Sequence, residues 1–361
     1  MKREQIETLI ITRRQDVQYI TGLYTEPSAV PVGCVIIQGA MPQLIIPDEM
    51  KGGILPGSVM GRVHTFVQPS SESKGLGHES AFWDEVSSVL RQAGLSKEMM
   101  GVQHEWLSVR GFDRLKATFP EAGFKDVSEA IWKIKQVKDS AEIELIRKAV
   151  VVAEIGLRMA LETVEASKTE EEVSQEIESV LRGAGAQRDG TRAVVLSGER
   201  AMNPRARPLF RPIGSKSFVT LDITVNSSGY FAEVSRTIHL GRPSDEQRKF
   251  FKFVSNARKQ ILKNLEPDVM ISELVGKVRK KSGRHFPSDS LIVPLGSCIG
   301  LDIREHPSLS PGSEQSLRAG MVFVIRPTGF SPELGCVTMA DVVLITDDGH
   351  ELLSTLSTET L

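Results

Sequence analysis

The sequence predicts an α/β domain followed by a larger α+β domain, and three observations carry that reading. Strand-like and helical runs alternate over the first part of the chain. From about Asp139 onward, two helices, a β-rich block, a second helix pair and a second β-rich block follow in order. Three helix starts in that second part share one N-terminal signature, a capping residue with Glu or Gln three positions on.

Taken in order, Leu9-Ile10-Ile11-Thr12, Cys34-Val35-Ile36-Ile37 and Leu44-Ile45-Ile46 are short β-branched, apolar runs and predict strands. The stretch from Trp83 to Leu90 has helical spacing, with Trp83, Val86, Val89 and Leu90 on one face. Gln68 to Ser80, rich in serine and glycine, predicts an exposed loop. The first domain is expected over residues 1–130, a linker over 131–138 and the second domain over 139–361. Asp139 and Glu142 make a capping box ahead of Ile143, Ile146, Val150 and Ala153. Thr169 and Glu172 repeat it before Val173, Ile177, Val180 and Leu181, with Gly183 expected just past the helix end. Ser244 and Gln247 do so again before Phe250, Phe251, Val254, Ala257 and Ile261.

The composition narrows the function classes. With 25% charged residues and a net charge of −2, the chain lacks the basic surface that drives nucleic-acid binding. No apolar run approaches the roughly 18 residues needed to span a bilayer, and the N-terminus has no secretory apolar region. Cys34, Cys298 and Cys336 are an odd number without CxxC spacing, which fits reduced thiols in a cytoplasmic protein.

The most informative segment lies between Asp222 and Glu233. Phe218 to Thr224 reads as a strand that carries Asp222, Asn226-Ser227-Ser228-Gly229 as a turn, and Glu233 as part of the returning strand. Both carboxylates can then face one interior site, an arrangement that usually binds hard cations or does acid-base work. The run Gly229-Tyr230-Phe231-Ala232-Glu233-Val234-Ser235-Arg236-Thr237, which places Glu233 eleven residues after Asp222, resembles the aminopeptidase P, prolidase, methionine aminopeptidase and creatinase family with its pita-bread fold. Val17 to Gly22 likewise resembles the segment that opens the family's creatinase-type N-terminal domain.

The metal-dependent members of that family bind two divalent ions through two Asp, one His and two Glu. The resemblance places Asp222, Glu233, Ser297, Arg326 and Ala340 at those five positions. Ser297 stands in Gly296-Ser297-Cys298-Ile299-Gly300-Leu301-Asp302, Arg326 follows Gly320-Met321-Val322-Phe323-Val324-Ile325, and Ala340 precedes Asp341. Two auxiliary histidines of the family become Arg205 and Arg304. The turn-forming Gly198, Gly229, Gly300, Gly320, Pro307 and Pro327 stay in register around every changed position. Two carboxylates thus face three arginines, which cannot ligate a cation and stay charged. No metal or other cofactor is expected.

Two readings of the arginines stay open. They pair internally with Asp222 and Glu233, or they form a pocket for a small anionic ligand or short peptide. The first functional expectation is a metal-independent hydrolase or lyase of the creatinase type, acting on a carboxylate-bearing, amino-acid-like substrate. Glu233 or Asp222 would be the base, with His306 and Cys298 as further catalytic candidates. Arg205, Arg304, Arg326, Ser297 and Tyr230 would bind substrate. The alternative is a catalytically silent pseudopeptidase that binds a ligand or peptide, and the third reading is an Xaa-Pro metallopeptidase with an altered site. The resemblance also implies a homodimer.

Overall fold

The computed structural model describes residues 1–25, 30–54, 61–67, 77–203, 206–282 and 286–356. Internal contacts divide the chain into two compact units, Met1–Ile134 and Lys135–Leu361.

The first unit contains β1 (Thr8–Ile11), α1 (Arg14–Thr21), β2 (Gly33–Ile37), β3 (Gln43–Pro47), β4 (Arg62–Phe66), α2 (Gly77–Gln92), β5 (Met99–Val102), α3 (Val109–Thr118) and β6 (Gly123–Asp126). Its six strands form one mixed sheet in the order β4-β3-β2-β1-β5-β6. Ile10, Val35 and Ile45 point into one core with Phe82, Val86 and Leu90 of α2. Their chain neighbours Ile11, Cys34, Leu44 and Ile46 point into the other core with Val17 of α1. A sheet buried on both faces reads as unbroken apolar runs, which is why these strands were visible without alternation.

Two expectations change here. α4 (Ser128–Gln136) occupies most of the stretch assigned to a linker, because Ile131 is drawn into the second of these cores. Residues 77–80 open α2, while the rest of the expected loop, 68–76, lies outside the described residues.

The second unit begins with α5 (Ser140–Thr163) and α6 (Glu170–Gly183), both started by the predicted capping boxes at Asp139 and Thr169. α6 runs through Gly183, and it is Gly185, at φ 94°, that takes the left-handed conformation beyond the end. β7 (Arg192–Ser197), β8 (Phe218–Ser227) and β9 (Tyr230–His239) form a three-stranded antiparallel sheet with α5 and α6 packed on it. α7 (Asp245–Lys263), capped by Ser244, and α8 (Ile271–Ser282) follow.

The last block holds β10 (Leu291–Ile292), β11 (Gly296–Cys298), β12 (Glu305–Ser308), β13 (Val322–Ile325), β14 (Thr328–Ser331), β15 (Gly335–Thr338), β16 (Asp341–Ile345) and β17 (His350–Leu352). They make a five-stranded sheet, β12-β11-β13-β16-β17, and a three-stranded one, β10-β14-β15. Phe250, Val254, Leu274, Phe323 and Val343 belong to the core that joins α7 and α8 to these strands. A bridge between Ser235 and Ala340 ties β9 to the start of β16. Among the described residues, no helix is long and apolar enough to cross a membrane.

Candidate functional site

The site is built on the β8–β9 hairpin. The turn is tighter than the expected four residues. Pairing continues to Ser227 and Tyr230, leaving Ser228 and Gly229 at φ 54° and 85° as a two-residue loop. Such loops need positive φ at both positions, so glycine at the second is a conformational requirement. Glu233 lies opposite Thr224, and Asp222 lies opposite Ser235. Residues two apart on a strand share a face, so Asp222 and Glu233 project to the same side.

Arg326 enters from the end of β13, its backbone N–H held 2.7 Å from the Leu295 carbonyl. Its Nη2 donates to Asp222 Oδ2 at 2.7 Å, and its Nη1 donates to Glu233 Oε1. One guanidinium therefore spans both carboxylates. Arg304 adds a second contact, with its Nη1 2.5 Å from Glu233 Oε2. Glu233 is fully enclosed, whereas the side chains of Arg326 and Arg304 are 21% and 44% exposed.

Burial alone would raise the Glu233 carboxyl. The charges of Arg326 and Arg304, with their hydrogen bonds, outweigh it and bring the group down to about 2. Burial likewise opposes the Arg326 charge, but Asp222 and Glu233 more than compensate and hold it protonated. A carboxyl lowered on folding stabilises the protein above its ordinary value of 4.5, and that contribution is lost as pH falls toward about 2. The loss over that window is expected to be on the order of 3 kcal/mol. Denaturant midpoints measured across it should be flatter in Glu233→Gln than in wild type.

The two arginines and Asp222 line a cavity of about 220 Å³. Val194 and Leu196 of β7 and Thr220 of β8 form one wall, and Val324, Cys336 and Thr338 belong to others. Ser297 also lines it. Gly296 makes that placement possible, since a Cβ there would lie 2.3 Å from the Val324 carbonyl oxygen. Ser297 Oγ and Asp222 Oδ1 are buried without a hydrogen-bond partner among the described residues.

Other expected site residues are used differently. Cys298 does not join the cavity. As the next residue along β11 it faces the opposite way, into the core under α7 and α8. Burial pushes its thiol up to about 12, which removes it as a nucleophile. His306 is exposed and does not line the cavity. The Tyr230 hydroxyl donates to Glu142 Oε1 at 3.0 Å and so fixes the hairpin to α5 instead of facing a substrate. Arg205 lies outside the described residues. Among those described, the two carboxylates are paired with two guanidiniums, those of Arg326 and Arg304.

Ala340 supplies only backbone. Its neighbour Asp341 accepts from Arg236 Nη2 at 2.7 Å, Arg258 Nε at 2.5 Å and Ser354 Oγ at 3.0 Å. Asp341 is thus committed to a separate buried network. Among the described residues, no group of three or more His, Cys, Asp or Glu side chains is placed to hold a metal ion. With a guanidinium between Asp222 and Glu233, these residues do not fit a pair of divalent ions.

Two supporting residues carried no sequence signal. Glu170 stands in the first turn of α6. It is fully buried and accepts from Ser197 N–H at 2.9 Å, Ser197 Oγ at 3.1 Å and Arg200 Nε at 3.0 Å. It thereby anchors the turn Gly198–Met202, whose Ala201 and Met202 line the cavity. Lys138 is buried against Glu305 at 2.8 Å, in space left free at Gly300, where a Cβ would lie 2.8 Å from Glu305 Oε1.

Residues 144–347 match metallopeptidase family M24, and residues 1–137 match the creatinase/prolidase N-terminal domain. The chain is 26% identical to the Xaa-Pro dipeptidase of Pyrococcus furiosus, covering 100% of this chain and 97% of that protein. It is 25% identical to the Xaa-Pro dipeptidase of Lactobacillus delbrueckii subsp. lactis, over 99% of this chain and 95% of that one. The crystal structure of the prolidase from Pyrococcus horikoshii superposes with a TM-score of 0.86 at 25% identity, covering 100% and 97% of the two chains. The second unit accordingly has the pita-bread fold and the first the creatinase-type α/β fold.

Proposed function

The chain belongs to metallopeptidase family M24, and from that footing we propose that it is a metal-independent, ligand-binding member without the dinuclear hydrolysis of Xaa-Pro dipeptides. The observation that carries this reading is Arg326, whose guanidinium bridges Asp222 and Glu233. Arginine offers only donors and keeps its charge, so it supplies a fixed cation where a metal-dependent relative needs empty carboxylate lone pairs.

The remaining groups support binding over turnover. Glu233, held at about 2, is a weak base near neutral pH. Cys298 is protonated and enclosed, and His306 stands outside the cavity. Among the described residues, the contacts of Arg326 and Arg304 do not use all of their N–H groups, and both side chains line the cavity, where they would orient an acceptor-bearing small molecule.

A second reading, a metal-independent hydrolase, rests on Asp222 Oδ1, which has no partner among the described residues. Metal analysis after soaking in manganese, cobalt or zinc, paired with an Xaa-Pro dipeptide assay, tests the proposal. We expect less than one equivalent of metal and no cleavage. Two equivalents with chelator-sensitive cleavage would overturn it. Chelator-resistant turnover that Asp222→Asn abolishes would favour the second reading.

A further inference from the structure

We propose that the cavity takes a small aliphatic monocarboxylate lacking an α-amino group, with its carboxylate on Arg326 and Arg304 and its apolar chain against the β7 wall. This rests on the reading of the cavity as a binding site and names the ligand class.

The head-group preference follows from which charges the cavity presents. Glu233 is 0% exposed and sits behind both guanidiniums, while Arg304 is 44% exposed and Arg326 21%. Asp222 has one oxygen taken by Arg326 and the other enclosed. A ligand therefore meets donors first and carboxylates last. A planar guanidinium suits a carboxylate through paired N–H···O contacts. An ammonium finds no accessible acidic oxygen, so it would be desolvated without an ion partner.

The tail preference follows from the walls. Val194, Leu196, Met202, Ile292, Pro294 and Val324 supply apolar surface without charge. The volume, about 220 Å³, is below the roughly 300–1,000 Å³ of sites for drug-sized ligands. It suits a body of a few carbons, each buried methylene improving affinity by about fourfold.

Isocaproate and leucine test this directly, because they share one carbon skeleton and differ by the α-ammonium group. Isocaproamide keeps the skeleton and removes the carboxylate charge, and acetate keeps the charge and removes the skeleton. Binding of all four to the full chain would be followed by saturation-transfer NMR. We expect isocaproate to bind at least tenfold more tightly than each of the other three. Arg304→Ala should weaken isocaproate by about ten- to a hundredfold, with a cooperative melt, at a lower temperature because Glu233 loses one of its two cations, showing that the fold is retained. Ile292→Ser should cut the preference for isocaproate over acetate while leaving acetate unaffected.

Leucine binding more tightly than isocaproate would overturn the inference and point to Asp222 Oδ1 as an ammonium acceptor. Isocaproamide matching isocaproate, or no saturable isocaproate binding, would also overturn it. None of these results bears on the metal and dipeptide assays, so the inference can fail while the proposed function stands.

Discussion

Arg326→Ala is expected to cost about 3–5 kcal/mol at neutral pH, the loss seen when one partner of a buried ion pair is removed. Asp222 would lose its Nη2 donor, and Glu233 would keep only the half-exposed Arg304. In a chain of this size that is a fall in melting temperature on the order of 10 °C. The deficit should shrink as pH is lowered toward 4, because the Glu233 carboxyl, freed from the guanidinium that lowers it, titrates at higher pH and can be neutralised. Replacing the whole group, with Arg326→Met, Asp222→Asn and Glu233→Gln together, should recover most of the loss, since a buried ion network and an uncharged one of similar volume differ little in stability. Urea unfolding of the single and triple variants at both pH values checks this. A single-variant loss below about 1 kcal/mol would contradict the bridging role of Arg326.

The second large effect is expected at Asp341. This carboxylate is fully buried and accepts from Arg236, Arg258 and Ser354. Burial raises its carboxyl, but the two arginines outweigh that and hold it below the usual range. Arg236 is itself 1% exposed and also donates to Ala340 O at 2.8 Å and Leu356 O at 2.7 Å. Asp341→Ala leaves two guanidiniums without a counter-charge, so we expect a loss of about 5 kcal/mol, at the upper end for broken buried pairs. Asp341→Asn keeps one acceptor and should lose less. Because Arg236 also holds Leu356, hydrogen exchange near the C-terminus should quicken in Asp341→Ala even where the rest of the unit stays protected.

The sequence was most readable where chemistry is tied to spacing. Asp222 and Glu233 were legible because a hairpin fixes the side on which two carboxylates emerge, and Arg326 was reached through the family resemblance, whose glycines and prolines stay in register around it. The capping boxes at Asp139, Thr169 and Ser244 were legible because they are local in sequence. Facing was harder. Ser297 and Cys298 are neighbours on a three-residue strand, too short for alternation to show which one looks into the cavity. The small strands of the last block, such as β10 and β12, were not separable by pattern, because β10 has two residues and a distant partner in β14, and β12 is a four-residue strand at the edge of its sheet. Glu170 and Lys138 were illegible for another reason. Their burial depends on Arg200 and Glu305, which no local rule connects to them.

The bridge made by Arg326 changes how this part of the molecule answers to its surroundings. A dissociable ion stabilises a fold by mass action, through a term that rises with its free concentration relative to its dissociation constant. The cation between Asp222 and Glu233 is instead covalently part of the chain, present at one per molecule in any buffer. For these two carboxylates, neutralisation is a unimolecular property. It arrives with translation of residue 326 and answers to pH and ionic strength, with no exchangeable pool to fill or deplete.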